Sequence, residues 1–246
     1  MLQTRGMGRV TGALAAAVIL AATTSARAQD RGASANTPLR FGPAGASDAG
    51  ADFVARAERY NVRIARGNVT IVDGQKAINV DLAGAVAKSI PAARNPQPPV
   101  NHAAGKDSNA AHSAAQTFSR IEYPDVYPGV NVVYSGTRKH LEYNFIVAPR
   151  GNYRDITLDF KQARRVSRDA SGNLVIETNA GKIVQRAPHI YQDTLQGRRM
   201  IPGGYARKGQ SQSQFGFWIG PHDPTLPLVI DPVLNCPTCS AAPHRP

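Results

Sequence analysis

Cysteine is almost absent from this chain: Cys236 and Cys239 are the only two in 246 residues. That excludes a disulfide framework as the basis of the fold. Both lie in Asn235-Cys236-Pro237-Thr238-Cys239, after which only His244 could add a ligand. Two thiolates and one imidazole fall short of the four ligands of a structural zinc site. No βαβ context surrounds the pair, as a thioredoxin-like redox motif would have. The pair reads as a local disulfide or as two tail thiols, and neither a metal nor a cofactor is expected. Sustained 3.6-residue periodicity is also missing beyond residue 28, which excludes a helical fold. So are G-x-S-x-G, H-E-x-x-H, the Walker A loop and G-x-G-x-x-G, the short motifs of acyl, zinc, phosphate and dinucleotide chemistry.

The longest apolar run stands at the start. Arg5 and Arg9 precede the uncharged stretch Val10–Ala22, and Ala26-Arg27-Ala28 offers a small-x-small cleavage site. This predicts a signal peptide over 1–28, with export to the periplasm or the extracellular space. The run is shorter than the roughly 20 residues of a spanning helix, so no membrane segment is expected after cleavage. The chain is basic, with 29 Lys and Arg against 17 Asp and Glu. Export argues against nucleic acid and for an envelope polysaccharide or protein as partner. Arginines 56, 59, 63 and 66, then 164, 165 and 168, then 198, 199 and 207 with Lys208, form short clusters that read as a solvated face.

Residues 29–52, rich in Ala, Gly, Ser and Pro, read as a flexible leader. Short alternating runs then begin. Tyr60, Val62 and Ile64 share a face, as do Ile78, Val80 and Leu82, with turns at Gly67-Asn68 and Asp73-Gly74. Residues 88–117 carry Pro91, Pro96, Pro98 and Pro99 among Ala, Asn and His, and read as a long irregular insertion. His102 and His112 fall in it and read as surface histidines. Alternation returns in Val130, Val132 and Tyr134, then Leu141, Tyr143, Phe145 and Val147, and again in Ile156, Leu158 and Phe160. Strands continue to Asp231, with Asp193–Arg199 as a polar loop. The expectation is an all-β, antiparallel, sandwich-like domain over 53–234, followed by a disordered tail over 235–246.

Three carboxylates are candidates for chemistry: Asp125, Glu142 and Asp231. A pair of carboxylates about 5–10 Å apart could cleave a glycosidic bond. Glu142 also fits a surface ion pair beside Arg138-Lys139-His140, and Asp231, before Pro232, fits an acceptor of backbone hydrogen bonds at a strand end. Tyr134 and Tyr143 alternate onto the core face. Asp125, Tyr127, Lys139 and Glu142 are left as the outward residues of the central hairpin.

Several motifs occur in one order: Tyr123-Pro124-Asp125-Val126-Tyr127-Pro128-Gly129-Val130-Asn131-Val132-Val133-Tyr134-Ser135-Gly136, then Leu141-Glu142-Tyr143-Asn144-Phe145-Ile146-Val147-Ala148-Pro149. After them come Ile156–Phe160, Asp169–Ile176, Ala187-Pro188-His189-Ile190-Tyr191-Gln192 and Pro227-Leu228-Val229-Ile230-Asp231-Pro232. From about Phe53 to Leu234 the chain resembles the β-rich N-terminal domain that precedes SBBP-type β-propeller repeats in bacterial exported proteins. Asn101–Asp107 resembles a decayed copy of that family's N-Y-F segment. Cys236-Pro237-Thr238-Cys239 stands where a Thr-Tyr-Leu-Gly-Gly propeller start is expected. The resemblance implies no catalytic residues. The expected function is a non-catalytic, exported structural or interaction module of the cell envelope. The alternatives are a carbohydrate-active enzyme using Glu142 with Asp125 or Asp231, and a shortened propeller protein.

Overall fold

A computed structural model describes residues 37–48, 50–57, 60–73, 76–86, 91–97, 116–179 and 181–235. The chain enters through β1 (Phe41–Pro43). A meander follows: β2 (Phe53–Arg56), β3 (Asn61–Ala65), β4 (Asn68–Asp73) and β5 (Lys76–Leu82). Next come β6 (Ala92–Gln97) and the three longest strands, β7 (Thr117–Tyr127), β8 (Val130–Thr137) and β9 (His140–Val147). Shorter elements follow in β10 (Leu158–Asp159), β11 (Ala163–Arg168), β12 (Leu174–Thr178) and β13 (Gly181–Gln185). Then come β14 (His189–Thr194), β15 (Gly197–Met200), β16 (Gly203–Arg207), β17 (Gln214–Ile219), β18 (Leu228–Asp231) and β19 (Val233–Asn235). Among the described residues there is no α-helix, and no helix long and apolar enough to cross a membrane.

Local sequence explains the turns. β3 and β4 meet through Arg66 and Gly67, both at positive φ (50° and 81°), the backbone of a two-residue hairpin whose twist matches its strands. The turn therefore sits one residue before the expected Gly67-Asn68. Between β8 and β9 the turn is Arg138-Lys139, and Gly136 at φ 140° makes it fit, since a Cβ there would meet the His140 carbonyl oxygen at 2.4 Å. β7 carries a bulge between Tyr123 and Tyr127, with Asp125 at φ 48°. Pro124, which has no N–H to give the ladder, falls within it.

All the recorded strand pairs are antiparallel, and they join into one continuous sheet that curls into a half-barrel. The sandwich expectation is corrected here, because two very short strands bridge what would be separate sheets. β1 pairs with β2 and with Phe118 of β7, and β10 pairs with both β5 and β17. β9 lies near the middle, with β8 on one side and β18 then β19 on the other. The register of β9 with β18 and with β19 is the same, so the ladder runs straight through Pro232. Three other expectations change. Residues 37–48 and 50–52 belong to the fold rather than to a flexible leader, because Leu39 and Phe41 are fully buried. Ala92–Gln97, within the expected irregular insertion, pairs with β7. Asp193–Arg199 is the β14–β15 hairpin, not a polar loop. The signal segment, Asn101–Asp107, His102, His112, Cys236, Cys239 and His244 lie outside the described residues.

The core fills the concave side. A chain of rings crosses it: Tyr123 to Tyr134 (6.2 Å between centroids), Tyr143 (6.1 Å), Phe145 (5.8 Å), Phe217 (5.9 Å) and Tyr205 (5.5 Å). Replacing Phe41 by Ala removes a fully buried ring at the β1 bridge, and urea unfolding should show a loss of about 3–5 kcal/mol. Leu195→Ala, at an exposed hairpin tip, should stay within about 0.5 kcal/mol. Equal, small effects for the two would mean that β1 is not part of the folded unit.

Candidate functional site

The convex face of the central strands gathers the polar residues that could act. The register through Pro232 sets Asp231 opposite Asn144, and β14 sets His189 opposite Asp231. One ladder step away, Ser135 faces Glu142, which faces Val233. Glu142 and Asp231, two of the three candidate carboxylates, thus come together on neighbouring strands. Asp125 does not join them: it is exposed on the β7 bulge, its backbone N–H donating to Asn131 Oδ1 at 2.9 Å. Tyr127 is not outward as expected. It shares the buried face of Tyr123 at 3% exposure, and its hydroxyl donates to the Ala83 carbonyl at 3.0 Å. Lys139 is exposed in the β8–β9 turn.

The two carboxylates differ in state. Glu142 Oε1 lies 3.0 Å from His140 Nε2, the surface pair its position suggested, though with His140 as the partner. Asp231 is half-buried, and burial raises its pKa above the usual carboxylate value. The nearby Glu142 charge adds to this, and His189 and Arg198 oppose it. Asp231 Oδ1 does not accept the backbone hydrogen bonds expected of it: it is buried and unpartnered, and so is the facing Asn144 Oδ1. An acid beside a base is a catalytic motif in other proteins. Here the cleft beside it, of about 410 Å³, is lined by His140, Asn173, Arg186, Ala187, His189 and Val233, not by either carboxylate.

Arginine lines four clefts of this fold. A cleft of about 590 Å³ separates the edge strand β11 from the β16–β17 hairpin, with Arg164, Arg165 and Arg207 in its wall. Arg168 Nη1 spans the same seam to the Tyr205 carbonyl at 3.2 Å. A second, of about 570 Å³, holds Arg40, Arg56 and Arg138, and a third, of about 550 Å³, holds Arg150 and Arg154. Arg186 lies in the cleft beside His189. Among the described residues, none of these four linings contains an Asp or a Glu. The gathering of Arg40, Arg56 and Arg138 was missed from sequence, because the three are distant along the chain and meet only through β1. Among the described residues no group of three or more His, Cys, Asp or Glu is placed to hold a metal ion.

Residues 41–233 match the family described as a domain of unknown function, DUF7948. The chain belongs to that family. The matched span begins at β1, which agrees with the placement of Phe41 in the core, and it ends within β19. Neither the curated proteins nor the solved structures hold a match to this DUF7948 domain.

The raised pKa of Asp231 has a consequence for stability. The folded domain holds that proton more tightly than the unfolded chain does. The stability this gives is full below the unfolded value of about 4 and is lost as pH rises through the higher folded value. Near neutral pH the charged, unpartnered carboxylate is therefore a cost. Asp231→Asn should stabilise the domain near pH 7 by on the order of 1 kcal/mol after solvent screening. That corresponds to about 2–4 °C in Tm. Thermal melts should show the gain shrinking as pH falls towards 4, and a loss of stability at pH 7 would contradict this account.

Proposed function

We propose that this chain is an exported, non-catalytic interaction module of the bacterial cell envelope, one that docks on anionic polysaccharide through its arginine-lined clefts. The observation that carries the reading is that four clefts hold arginine and that, among the described residues, none of these four linings holds a carboxylate. Clefts of one sign concentrate ligands of the other, and the guanidinium fork matches carboxylate and phosphate oxygens. The residues 1–28 support export to the periplasm or the extracellular space. The order of motifs from Tyr123 to Pro232 supports a place beside SBBP-type propeller repeats in related chains.

A second reading has one observation in its favour. Glu142 raises the pKa of Asp231, and two carboxyl groups of unequal pKa are what glycoside cleavage uses. Against it, Glu142 is held by His140, and neither carboxylate lines the four clefts described above.

The full chain, tagged and expressed in a Gram-negative host, should be recovered from periplasm or medium with residues 1–28 removed. That product should be retained on alginate beads at low salt, released by about 0.5 M salt, and not retained on neutral dextran. Cytosolic retention of the intact chain would overturn the export reading. Equal retention on dextran would overturn the docking reading, and release of reducing sugar that Glu142→Gln abolishes would favour the enzyme.

A further inference from the structure

Trp218 is the only tryptophan in the chain, and it is 49% exposed. Phe215, Gly216 and Phe217, just before it on β17, are buried. Alternation puts Gly216 and Trp218 on the outer face of β17, with Phe215 and Phe217 on the core face. Across the ladder Trp218 faces Gly204, and Gly216 faces Ala206. Neither glycine is at positive φ, so the backbone does not require it. Space does: a Cβ at Gly204 would meet Trp218 Nε1 at 3.0 Å, and one at Gly216 would meet Lys208 Cε at 2.5 Å. Glycine inside a strand weakens it, and here it lets two long side chains lie down on the sheet. The indole rests over Gly204 and the Lys208 stem over Gly216. Gly216 and Trp218 are two residues apart along one strand, about 7 Å.

A single exposed aromatic is ordinary on a protein surface, and covering a glycine on an edge strand is one use for it. The cations set beside this one point further. Lys208 Nζ donates to the Arg154 carbonyl, and an ammonium has three N–H groups to give. The Arg154 guanidinium stands 4.8 Å over the Tyr153 ring. It lines the cleft of about 550 Å³ whose wall includes Arg150 and also Ile219 and Gly220, the two residues that follow Trp218. Asp155 and Asp223 adjoin these residues in sequence but do not line the cleft. Asp155 Oδ1 accepts from Asn152 Nδ2 at 2.8 Å, and Asp223 Oδ1 accepts from the Thr225 hydroxyl at 2.6 Å.

We propose that Trp218, Lys208 and Arg154 form a binding site for acidic sugar units of a polysaccharide. One pyranose ring stacks on the indole, and its carboxylate is met by the Lys208 ammonium. The next charged unit enters the cleft, where Arg154 meets it. The negative face of the indole attracts the C–H groups of a sugar ring, and the two cations select an acidic ring over a neutral one. The proposal rests on the reading of the chain as a module that docks on anionic polysaccharide, and it assigns the sugar contact to the outer face of β17.

Because the chain has one tryptophan, its fluorescence reports on this site alone. The full exported chain, titrated with alginate trisaccharide, should show a saturable blue shift of that emission and reduced quenching by acrylamide. Isomaltotriose, a neutral trisaccharide, should produce neither. By calorimetry, Trp218→Ala and Arg154→Gln, both at exposed positions, should each weaken alginate trisaccharide binding by about tenfold or more with an unchanged melt. Arg164→Gln, in the seam cleft, should leave that binding unaltered. An unmoved emission up to about 10 mM alginate trisaccharide overturns the proposal, since that lies beyond the weakest useful affinities. So does an equal response to isomaltotriose, unchanged binding by Trp218→Ala or by Arg154→Gln, or an equal loss in Arg164→Gln. Retention on alginate beads with an unmoved emission removes this site and leaves the docking reading. The emission response without bead retention leaves the site and removes docking through the clefts.

Discussion

The half-barrel depends on tyrosine hydroxyls that reach across its interior. Tyr123 donates to Asp52 Oδ2 at 2.9 Å, Tyr134 to the Gly67 carbonyl, and Tyr127 to the Ala83 carbonyl at 3.0 Å. All three targets belong to the N-terminal meander. On the other side, Tyr143 donates to Gln185 Oε1 at 2.6 Å, Gln185 Nε2 to the Tyr205 hydroxyl at 2.9 Å, and Tyr205 to the Arg186 carbonyl at 2.7 Å. The central strands β7, β8 and β9 are thereby tied to both wings of the sheet. Leaving a buried hydroxyl or amide unpaired costs about 1–3 kcal/mol, so each bond also selects which strand lies opposite. Burial pushes the Tyr127 hydroxyl up to about 12 and those of Tyr123, Tyr134, Tyr143 and Tyr205 further, so all remain donors at physiological pH.

Alternation made most of these strands legible before any coordinates. It placed Tyr134 and Tyr143 inside, beside Val132 and Phe145, and both are 1% exposed. It failed where the period breaks. The bulge between Tyr123 and Tyr127 sets four steps of β7 against two of β8, so Asp125 turns outward and Val126 inward, the reverse of strict counting from Tyr123. Leu39 and Phe41 are two isolated apolar residues in a Gly- and Ala-rich stretch, too few to show a period, yet both are fully buried. β1 and β10, which turn two expected layers into one curled sheet, are three and two residues long and have no pattern of their own. Closure of a sheet is a long-range property, and it rested on elements too short for periodicity to mark.

The convex face was legible in composition but not in arrangement. Glu142 and Asp231 are 89 positions apart in the numbering, and they meet because Pro232 interrupts hydrogen bonding without shifting the register. Pro232 has no N–H to donate, so the ladder is open beside Asp231 and Asn144, whose Oδ1 atoms lack partners. Burial of that carboxyl, with the Glu142 charge second, accounts for the raised pKa of Asp231 without invoking catalysis.

The basic residues divide in the same way. Arginines on β6, β11, β15 and β16 serve the sheet, since each stands on a strand with one unpaired side among the described residues. Arg198 shows how such a residue is held: its guanidinium stacks 3.7 Å from the Tyr191 ring centroid and bonds Asp193 at 3.0 Å. Arg40 and Arg56 have no edge to protect, and Arg138 reaches them from a turn on the far side of β1. The cluster at β1 thus follows from the register that sets Arg40 opposite Arg56 and from the backbone bonds that draw the β8–β9 turn alongside the segment before β1.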